Sequence, residues 1–433
     1  MNVADIVRRF APDLAPFDSL YKDVHQYPEL SCFEARTSSV IADHLRHLSP
    51  DIQVHETIGG YGVVGVLNNG SGKVVILRAE LDALPIEEET GVSYSSREHM
   101  TDSWGREGPV MHACGHDMHM ACLMAAAKLL VNARAEWSGT LVMLFQPNEE
   151  NTGGAQAMVD DGLYDKIPTP DIVMAQHLIP IHSGSVSLKS GPVLVSADTV
   201  CIRLFASKGH TANPQVTVDI ISVASKIILR FQDLERVLSE DGYVSIFPEQ
   251  IHAGQPGLPW VEHADIVLDV KAYDPNLRIK LLQGINDIVN EEATLSGAKK
   301  KPEITSSIRA PLTSNDQQLT EKVGAAFKEF FGVENVLEDV PSHPCEDFSI
   351  LASAVKAPYL FWFLGRVDPG QLDRAHQTDR FLEEIPIEHS PVNAPLIHPT
   401  METGMKALSI ATLFFLGNYN GQLWESKGSN TSD

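Results

Sequence analysis

Residues 118–131 read MHMACLMAAAKLLV and lie between two apolar runs, VVIL at residues 74–77 and TLVMLF at residues 140–145. The two runs are typical of buried strands, whereas the Ala, Leu and Met of the longer stretch favour a helix. A further apolar run, IVMA, occupies residues 172–175. This alternation predicts an α/β sheet that is covered on both faces. We expect Asp117 to cap the N-terminus of the helix.

Polar residues follow the predicted strands at their carboxyl ends. Asp82 comes shortly after the first run, Glu149 and Glu150 after the second, and His177 after the third. In open α/β sheets, functional groups collect just beyond the carboxyl ends of the strands. The sequence therefore predicts a functional site at this edge of the sheet.

The pattern changes from about residue 197. Strands are predicted at residues 199–206, 266–272 and 301–308, and helices at residues 218–234 and 276–296. Together they form a β-α-β-α-β set that is large enough for a small domain. We therefore predict a discontinuous first domain, residues 1–196 plus 309–433, with a second domain, residues 197–308, inserted into it.

Length and charge exclude several classes of protein. The 433 residues exceed one typical domain. The formal net charge of -24 argues against a nucleic-acid partner, because phosphate binding requires clustered Lys and Arg. No apolar stretch approaches the ~18 residues that a membrane helix needs, so no membrane partner is expected. The five cysteines are scattered and odd in number, which predicts a cytoplasmic protein without a disulfide framework.

The densest group of chemically active residues is HACGHDMH at residues 112–119. A helix cap with incidental histidines would explain any one of these residues, but it does not explain all of them together. Cys and His are ligands that borderline metals prefer, and a Cys-x-His pair on a tight glycine turn can bring sulfur and imidazole to one ion. This segment therefore predicts a metal site.

Three further segments carry candidate site residues. Glu149 and Glu150 end an apolar strand, where one carboxylate can coordinate a metal while its neighbour moves protons. His177 alone is typical of a hydrogen-bonded core histidine, but its place at a strand end makes it a candidate ligand. RAELDALP at residues 78–85 predicts either an ion pair or a carboxylate that orients a ligand histidine.

In this order the motifs resemble the M20 metallopeptidase family, specifically its amidohydrolase branch of hippurate, N-acyl amino acid and auxin-conjugate hydrolases. The resemblance runs nearly end to end, through HQYPEL at 25–30 with Glu34 and Thr37, RAELDALP at 78–85, the 112–119 segment, QPNEE at 146–150, QHL at 176–178, GH at 209–210, EDFS at 346–349 and HSP at 389–391. It implies a mixed-sheet α/β catalytic domain with an inserted, smaller α+β domain, ferredoxin-like, that serves as lid or dimerisation domain.

The resemblance also implies two divalent metal ions, zinc or manganese, with cobalt or nickel also admitted. The matching ligand positions are Cys114, His116, Glu150, His177 and His389. Cys114 would lie between the ions as a thiolate, Glu149 would be the general base and later the acid, and His210 would polarise the scissile carbonyl, often from the partner subunit. A homodimer or higher homo-oligomer is therefore expected. His389 is preferred to His398 as a metal ligand, because only His389 is followed by Ser-Pro as in the family motif.

The predicted function is hydrolysis of the amide bond of an N-acyl amino acid, or of a related small amide, by water activated at two metal ions. A dipeptidase or aminoacylase-type exopeptidase is a close alternative. In a second alternative Cys114 is a nucleophile with His112 or His116 as its base, which leaves the two glutamates without a role. A catalytically silent ligand-binding protein is the third.

The chain departs from the family pattern at several positions. Glu80 stands where the family usually has Asp, and Gln215 stands where a His often follows Pro. Pro256 replaces the Asn of a common Asn-x-x-Pro stretch, and Lys271 lies near the position of a frequent Arg. Most of these changes lie where acyl and carboxylate groups would be recognised, so the sequence leaves the substrate's identity open.

Overall fold

The computed structural model describes residues 2–206, 218–254, 261–338 and 344–417. The chain forms two compact units. The first takes its residues from Met1–Lys189, Asp316–Val340 and Leu351–Asp433. The second takes its residues from Ser190–Asn315 and Pro341–Ile350.

Helices and strands alternate along much of the chain. The described strands are β1 (Ile52–Ile58), β2 (Gly62–Asn69), β3 (Val74–Glu80), β4 (His99–Thr101), β5 (Glu107–Pro109), β6 (Gly139–Gln146), β7 (Ile172–His182), β8 (Val186–Ser187), β9 (Gly191–Leu194), β10 (Ser196–Phe205), β11 (Val244–Ala253), β12 (His263–Ala272), β13 (Glu303–Ala310), β14 (Thr313–Asn315), β15 (Val336–Leu337) and β16 (Tyr359–Val367). The described α-helices are α1 (Val3–Phe10), α2 (Ala15–Gln26), α3 (Ala35–Leu48), α4 (His116–Asn132), α5 (Gly154–Asp160), α6 (Leu163–Lys166), α7 (Ile220–Leu238), α8 (Pro275–Leu295), α9 (Gln317–Phe331), α10 (Phe348–Ser353), α11 (Pro369–Gln377), α12 (Phe381–Glu384) and α13 (Ile397–Leu416).

The first unit is built on a mixed sheet of eight described strands, in the order β1-β2-β6-β3-β7-β16-β8-β15. β3 runs parallel to both β6 and β7, whereas β2 is antiparallel to β1 and β6. Every residue of β6 is buried, as expected of a strand that is covered on both faces of its sheet. The predicted α/β fold class with a mixed sheet is confirmed.

Helix α4 forms the centre of the first unit. It is apolar around most of its circumference and packs against α2, α13 and β3, which buries it. The prediction that Asp117 caps this helix is wrong: the N-cap residue is Gly115, and Asp117 is the second helical residue. The Asp117 carboxylate is hydrogen-bonded to His25 instead. Among the described helices, none combines the length and apolar character needed to cross a membrane.

The second unit contains a β-α-β-β-α-β sequence formed by β10, α7, β11, β12, α8 and β13. The four strands form an antiparallel sheet in the order β11-β12-β10-β13, and this connectivity is ferredoxin-like. α7 and α8 bury one apolar face each, including Phe231 and Leu281, in the core of this unit. The predicted β-α-β-α-β set was wrong in one respect, because it lacked β11.

Candidate functional site

Three neighbouring strands of the first unit bring the predicted strand-end residues to one edge of the sheet. β3 pairs in parallel with β6 and with β7, so the carboxyl ends of these strands lie side by side. Asp82 follows β3, Glu149 and Glu150 follow β6, and His177 lies in β7. The site is therefore assembled from loops and strand ends that the parallel pairing holds together.

The turn before α4 presents Cys114 and His116 to the same edge. Its conformation requires glycine at position 115, because φ there is +91°. A Cβ at Gly115 would also lie 2.6 Å from the Leu178 Cδ1 atom of β7. This close approach places the Cys114 Sγ atom 3.4 Å from His177 Nε2.

The predicted ligands form two groups that share one sulfur atom. Cys114, His116 and His177 make up the first group, and Cys114, Glu150 and His389 the second. Within each group the candidate ligand atoms lie within 4.8 Å of one another. Since Cys114 belongs to both, the arrangement suits two ions with a thiolate between them.

His389 reaches this site from a loop near the end of the chain. Its backbone N–H donates to the carbonyl oxygen of Ala113 at 3.1 Å. The Asn393 side-chain amide donates to the same oxygen at 2.7 Å, so the loop is anchored beside Cys114. His389 Nε2 lies 3.4 Å from the Glu150 Oε2 atom. The loop is thereby attached to the peptide that carries the shared sulfur.

Hydrogen bonds fix which ring nitrogens are available as ligands. His116 Nδ1 lies 2.8 Å from the Asp82 carbonyl oxygen, and His177 Nδ1 lies 2.7 Å from the Leu178 carbonyl oxygen. A carbonyl oxygen only accepts, so each Nδ1 carries a proton, and Nε2 is the ring atom left to face a ligand. His116 Nε2 is buried and has no hydrogen-bond partner within the described part of the chain.

A carboxylate oxygen in the same site also lacks a hydrogen-bond partner. Glu150 Oε1 is buried without a hydrogen-bond partner among the residues that the structure describes. Buried polar atoms normally have hydrogen-bond partners, so a nitrogen and an oxygen that lack them at one site favour a bound ligand. Thiolate, imidazole and carboxylate donors are those of borderline divalent metals. The residues present therefore fit divalent metal ions.

Charge at the site points in the same direction. Burial raises the pKa of the Cys114 thiol well above its ordinary value, and the charges of Glu150 and Glu149 raise it further. Burial lowers the pKa of His116, but the Asp82 carboxylate, whose Oδ1 atom lies 3.5 Å from Nδ1, and the charge of Glu80 outweigh it and raise that pKa to about 10. The site thus holds an excess of negative charge, which favours binding of cations.

Glu149 lies beside the ligand groups and is 7% exposed. Its Oε2 atom is 3.6 Å from His116 Nε2. It also forms, with His116 and Glu150, a third set of atoms that are close enough to surround a cation. A carboxylate at this distance can exchange protons with a water molecule held at the site.

A fourth candidate group, formed by Glu80, His116 and His119, has another role. His119 Nδ1 lies 2.7 Å from Glu80 Oε2, and the Leu178 N–H donates to His119 Nε2 at 3.0 Å. Both ring nitrogens of His119 are therefore occupied, and the ring links Glu80 to the strand that carries His177. Arg78 forms an ion pair with Glu80 on its other side. The segment at 78–85 thus contains the ion pair that its sequence allowed, whereas its Glu80 carboxylate bonds to His119, which is not one of the predicted ligands.

This contribution of His119 was missed in the sequence, although the residue lies in the 112–119 segment. His119 differs from a metal ligand because its Nε2 atom accepts the Leu178 N–H, and this contact is visible only in the structure. His112 is also buried, and neither of its ring nitrogens has a partner in the described ranges. Since Cys114 Sγ contacts His177 rather than His112 or His116, the geometry disfavours the alternative of a cysteine nucleophile with either of those bases.

Two other histidines need separate mention. His398 lies with its Nε2 atom 3.0 Å from Asp18 and its Nδ1 atom 2.9 Å from Glu402, and it belongs to none of the ligand groups found in the described residues. His210 lies outside the described residues, as do the altered positions Gln215 and Pro256.

Comparison with known proteins agrees with this geometry. Residues 76–391 match the model of peptidase family M20/M25/M40. The chain belongs to this family. Hippurate hydrolase of Campylobacter jejuni is 33% identical over 349 residues, which cover 80% of this chain and 87% of the relative. The IAA-amino acid hydrolase ILR1-like 2 of Arabidopsis thaliana is 29% identical and covers 83% of this chain and 79% of its own length.

A solved structure shows the same fold. The Bacillus subtilis YXEP protein, described as a dinuclear metal binding peptidase from the M20 family, has a TM-score of 0.74 at 22% identity. The match covers 94% of this chain and 99% of that protein. The predicted family and fold class are therefore confirmed, and this M20 chain is a hydrolase that acts on amide or peptide C–N bonds.

Proposed function

We propose that this M20 hydrolase cleaves the amide bond of N-acyl amino acids or related small amides and depends on two divalent metal ions. The observation that carries the proposal is the sharing of Cys114 between two groups of ligand atoms. His116 Nε2 and Glu150 Oε1 support it, because both are buried and neither has a hydrogen-bond partner among the described residues. The dinuclear description of the Bacillus subtilis YXEP protein supports it as well.

Each of the two ligand groups would bind one ion. His116 and His177 would hold one ion and Glu150 and His389 the other, with Cys114 shared. When bound, the ions supply Lewis-acid charge and lower the pKa of water at the site. The protonated Nδ1 atoms of His116 and His177 keep both rings oriented with Nε2 toward the site.

Glu149 has the role of general base and then acid. Its carboxylate removes a proton from the attacking water and delivers that proton to the nitrogen of the leaving amine. Both transfers need a carboxylate that is near the ligands and shielded from bulk water, and Glu149 is 3.6 Å from His116 and 7% exposed. His210 is proposed, from the resemblance, to polarise the scissile carbonyl.

The substrate class rests on the relatives. Hippurate hydrolase and IAA-amino acid hydrolase are named for the hydrolysis of hippurate and of IAA–amino acid conjugates, and this chain is similar to both over most of its length. We therefore place an acyl group on one side of the scissile amide and an amino acid on the other. Cleavage of dipeptides is the outcome that would favour the exopeptidase alternative.

The experiment is a substrate panel of N-acetyl, N-benzoyl and longer N-acyl amino acids together with dipeptides, with amine release followed by mass spectrometry. Wild type, chelated wild type and Glu149→Gln are compared. We expect Glu149→Gln to lower kcat by about 10²- to 10⁴-fold, because general acid–base catalysis is lost, while both metals stay bound. Glu107→Gln, which changes an exposed glutamate on β5, is the matched control.

Any of three results would contradict the proposal or part of it. Full activity of Glu149→Gln would remove the general base from the mechanism. Wild-type protein with no bound metal and no activity on any member of the panel would favour the silent binding protein. Two bound metals per chain without activity would support the metal centre but contradict the proposed substrate class.

Several finer points stay predictions. Residues 197–308 are proposed as the inserted lid or dimerisation domain, and a homodimer or higher homo-oligomer is proposed with it, which light scattering of the purified chain would test. The choice between zinc and manganese, and the cytoplasmic location, likewise rest on ligand chemistry and cysteine usage.

A further inference from the structure

The turn after β6 presents Glu149 and Glu150 in an unusual backbone conformation. Asn148 has a φ of +54°, which is uncommon for a residue with a side chain. Thr152 closes the turn, since its N–H donates to the Glu149 carbonyl oxygen at 2.5 Å. A turn of this kind persists only where its surroundings hold it in place.

Two buried carboxylates hold the turn on either side of Glu149. The Asn148 N–H donates to Glu34 Oε1 at 2.8 Å, and the Glu150 N–H donates to Asp82 Oδ2 at 2.9 Å. Glu34 and Asp82 are each 0% exposed. The Pro147–Asn148 and Glu149–Glu150 peptide units are therefore each held by a hydrogen bond to a buried carboxyl group.

The carboxylates are themselves held by a second turn, which precedes α3. The Cys32 N–H donates to Glu34 Oε1 at 2.9 Å, and the Ser31 hydroxyl donates to Asp82 Oδ2 at 2.7 Å. The Glu34 carbonyl oxygen accepts the N–H of Ser38 in the first turn of α3. The Glu34 side chain thus connects the start of a helix to the turn that carries the general base.

Capping of α3 alone does not account for this side chain. Glu34 is the N-cap residue of α3, but its carboxylate makes no capping hydrogen bond to that helix. No cation forms an ion pair with it among the described residues, and its Oε2 atom is buried without a partner there. Burial, together with the charge of Asp82, raises the pKa of Glu34 to about 7. A buried carboxyl group in such surroundings is costly, so a role beyond packing is expected.

We propose that Glu34 is a positioning residue for Glu149: its carboxyl oxygen fixes the Asn148 peptide and so aims the general base at the ligand groups. This inference rests on the proposed function. It differs from the contribution of Asp82, whose carbonyl oxygen also orients His116. Loss of Glu34 should therefore disturb proton transfer while leaving the ligand set intact.

The test compares Glu34→Ala and Glu34→Gln in the metal-loaded protein. Glu34→Ala removes the acceptor and is expected to lower kcat by about 10- to 100-fold with little change in KM, because small misplacements of a catalytic group are costly. Glu34→Gln retains an oxygen acceptor and should stay within about threefold of wild type. Glu34→Met, which keeps most of the side-chain volume without an acceptor, replaces Glu34→Ala if the latter does not fold.

Two readouts do not depend on activity. Hydrogen–deuterium exchange of a peptide that contains residues 147–152 should be faster in Glu34→Ala than in wild type and near normal in Glu34→Gln, because the Asn148 amide loses its acceptor only in the former. Bound metal should remain at the wild-type level in both. These readouts would still report on Glu34 if the substrate panel failed, so the two proposals can fail separately.

Glu29 supplies a matched control in the same segment. Its carboxylate accepts the backbone N–H groups of Arg36 and Thr37 at the start of α3 and does not contact the turn after β6. Glu29→Ala should lower stability and leave kcat per folded molecule unchanged. A wild-type kcat for Glu34→Ala, unchanged exchange at residues 147–152, or loss of metal in parallel with loss of kcat would each overturn the positioning role.

Discussion

The candidate ligands differ in how many of the two ligand groups they belong to. Cys114 belongs to both groups of ligand atoms, whereas His389 belongs to one. We therefore expect Cys114→Ala to lose most of the metal from both positions and His389→Ala to lose about one ion per chain, with the ion at His116 and His177 retained. Elemental analysis of purified, dialysed protein measures the metal-to-chain ratio directly.

The matched control for this series is His398→Asn. His398 is paired with Asp18 and Glu402 away from the ligand groups, so its replacement should leave both ions bound. Loss of metal in His398→Asn, together with full retention of metal in His389→Ala, would show that His398 and not His389 is the ligand. Equal loss in Cys114→Ala and His389→Ala would show instead that the sulfur is not shared.

Some site residues could be predicted from local sequence and others could not. Cys114 and His116 are two positions apart on a glycine turn, so their spacing alone indicated one ion. His389 is separated from them by most of the chain, and only the resemblance identified it. The roles of Glu34 and His119 depend on backbone amides of distant residues, namely Asn148 and Leu178. Sequence spacing carries no record of such contacts.

At the level of elements, a buried charge cluster joins α2 to the start of α4. His25 Nδ1 lies 2.6 Å from Asp117 Oδ2, and its Nε2 lies 3.1 Å from Glu88 Oε1. The rings of Tyr21 and Tyr94 pack against the imidazole. Burial lowers the pKa of His25, but its bonds to Asp117 and Glu88 outweigh this and raise it to about 9. The ring is therefore charged at neutral pH and holds the two helices together.

The raised pKa predicts how stability changes with pH. Because the folded-state pKa exceeds the ordinary value of about 6.5, the charged ring contributes stability that is fully present below about pH 6.5 and is lost as pH rises through about 9. A shift of this size corresponds to about 3 kcal/mol. The difference in free energy of unfolding between wild type and His25→Gln, from urea titrations, should therefore shrink between about pH 6.5 and 9.

His47→Gln is the control for this measurement. His47 is exposed on α3, and its replacement should change the free energy of unfolding by less than about 0.5 kcal/mol at every pH. Titrating groups that do not contact His25 are common to wild type and variant and cancel in the difference, whereas Asp117 and Glu88, whose pKa values His25 lowers, do not. A difference for His25→Gln that stays constant from pH 6 to 9.5 would mean that the ring does not carry the charge.

Whether an element could be predicted depended on how clearly its sequence showed a pattern. β6 and α4 are buried along their lengths and therefore read as continuous apolar stretches. β11 lies at the edge of its sheet, exposes half of its residues and contains Pro248 at a register shift. Edge strands tolerate proline and polar residues, which removes the alternation that would have marked this strand.

Across the whole molecule, the candidate ligands come from both halves of the sequence but from one unit. Cys114, His116, Glu150 and His177 lie in the segment Met1–Lys189, and His389 lies in Leu351–Asp433. The core of this unit is likewise shared, because α13 packs against α4. Metal binding should therefore stabilise the first unit by linking two segments that are far apart in the sequence.

Removal of metal provides the corresponding test. A ligand that binds only the folded state stabilises it by about 2.7 kcal/mol when its concentration is 100 times Kd. Chelation should therefore speed hydrogen–deuterium exchange in β3, α4 and β7, which surround the ligands, and leave α7 and α8 of the second unit unchanged. Mass spectrometry of peptic peptides resolves these elements, and Cys114→Ala, which should bind little metal, is expected to give the same exchange with and without chelator. Equal acceleration in both units would show that the metal stabilises the protein through contacts other than the five candidate ligands, since all five candidates lie in the first unit.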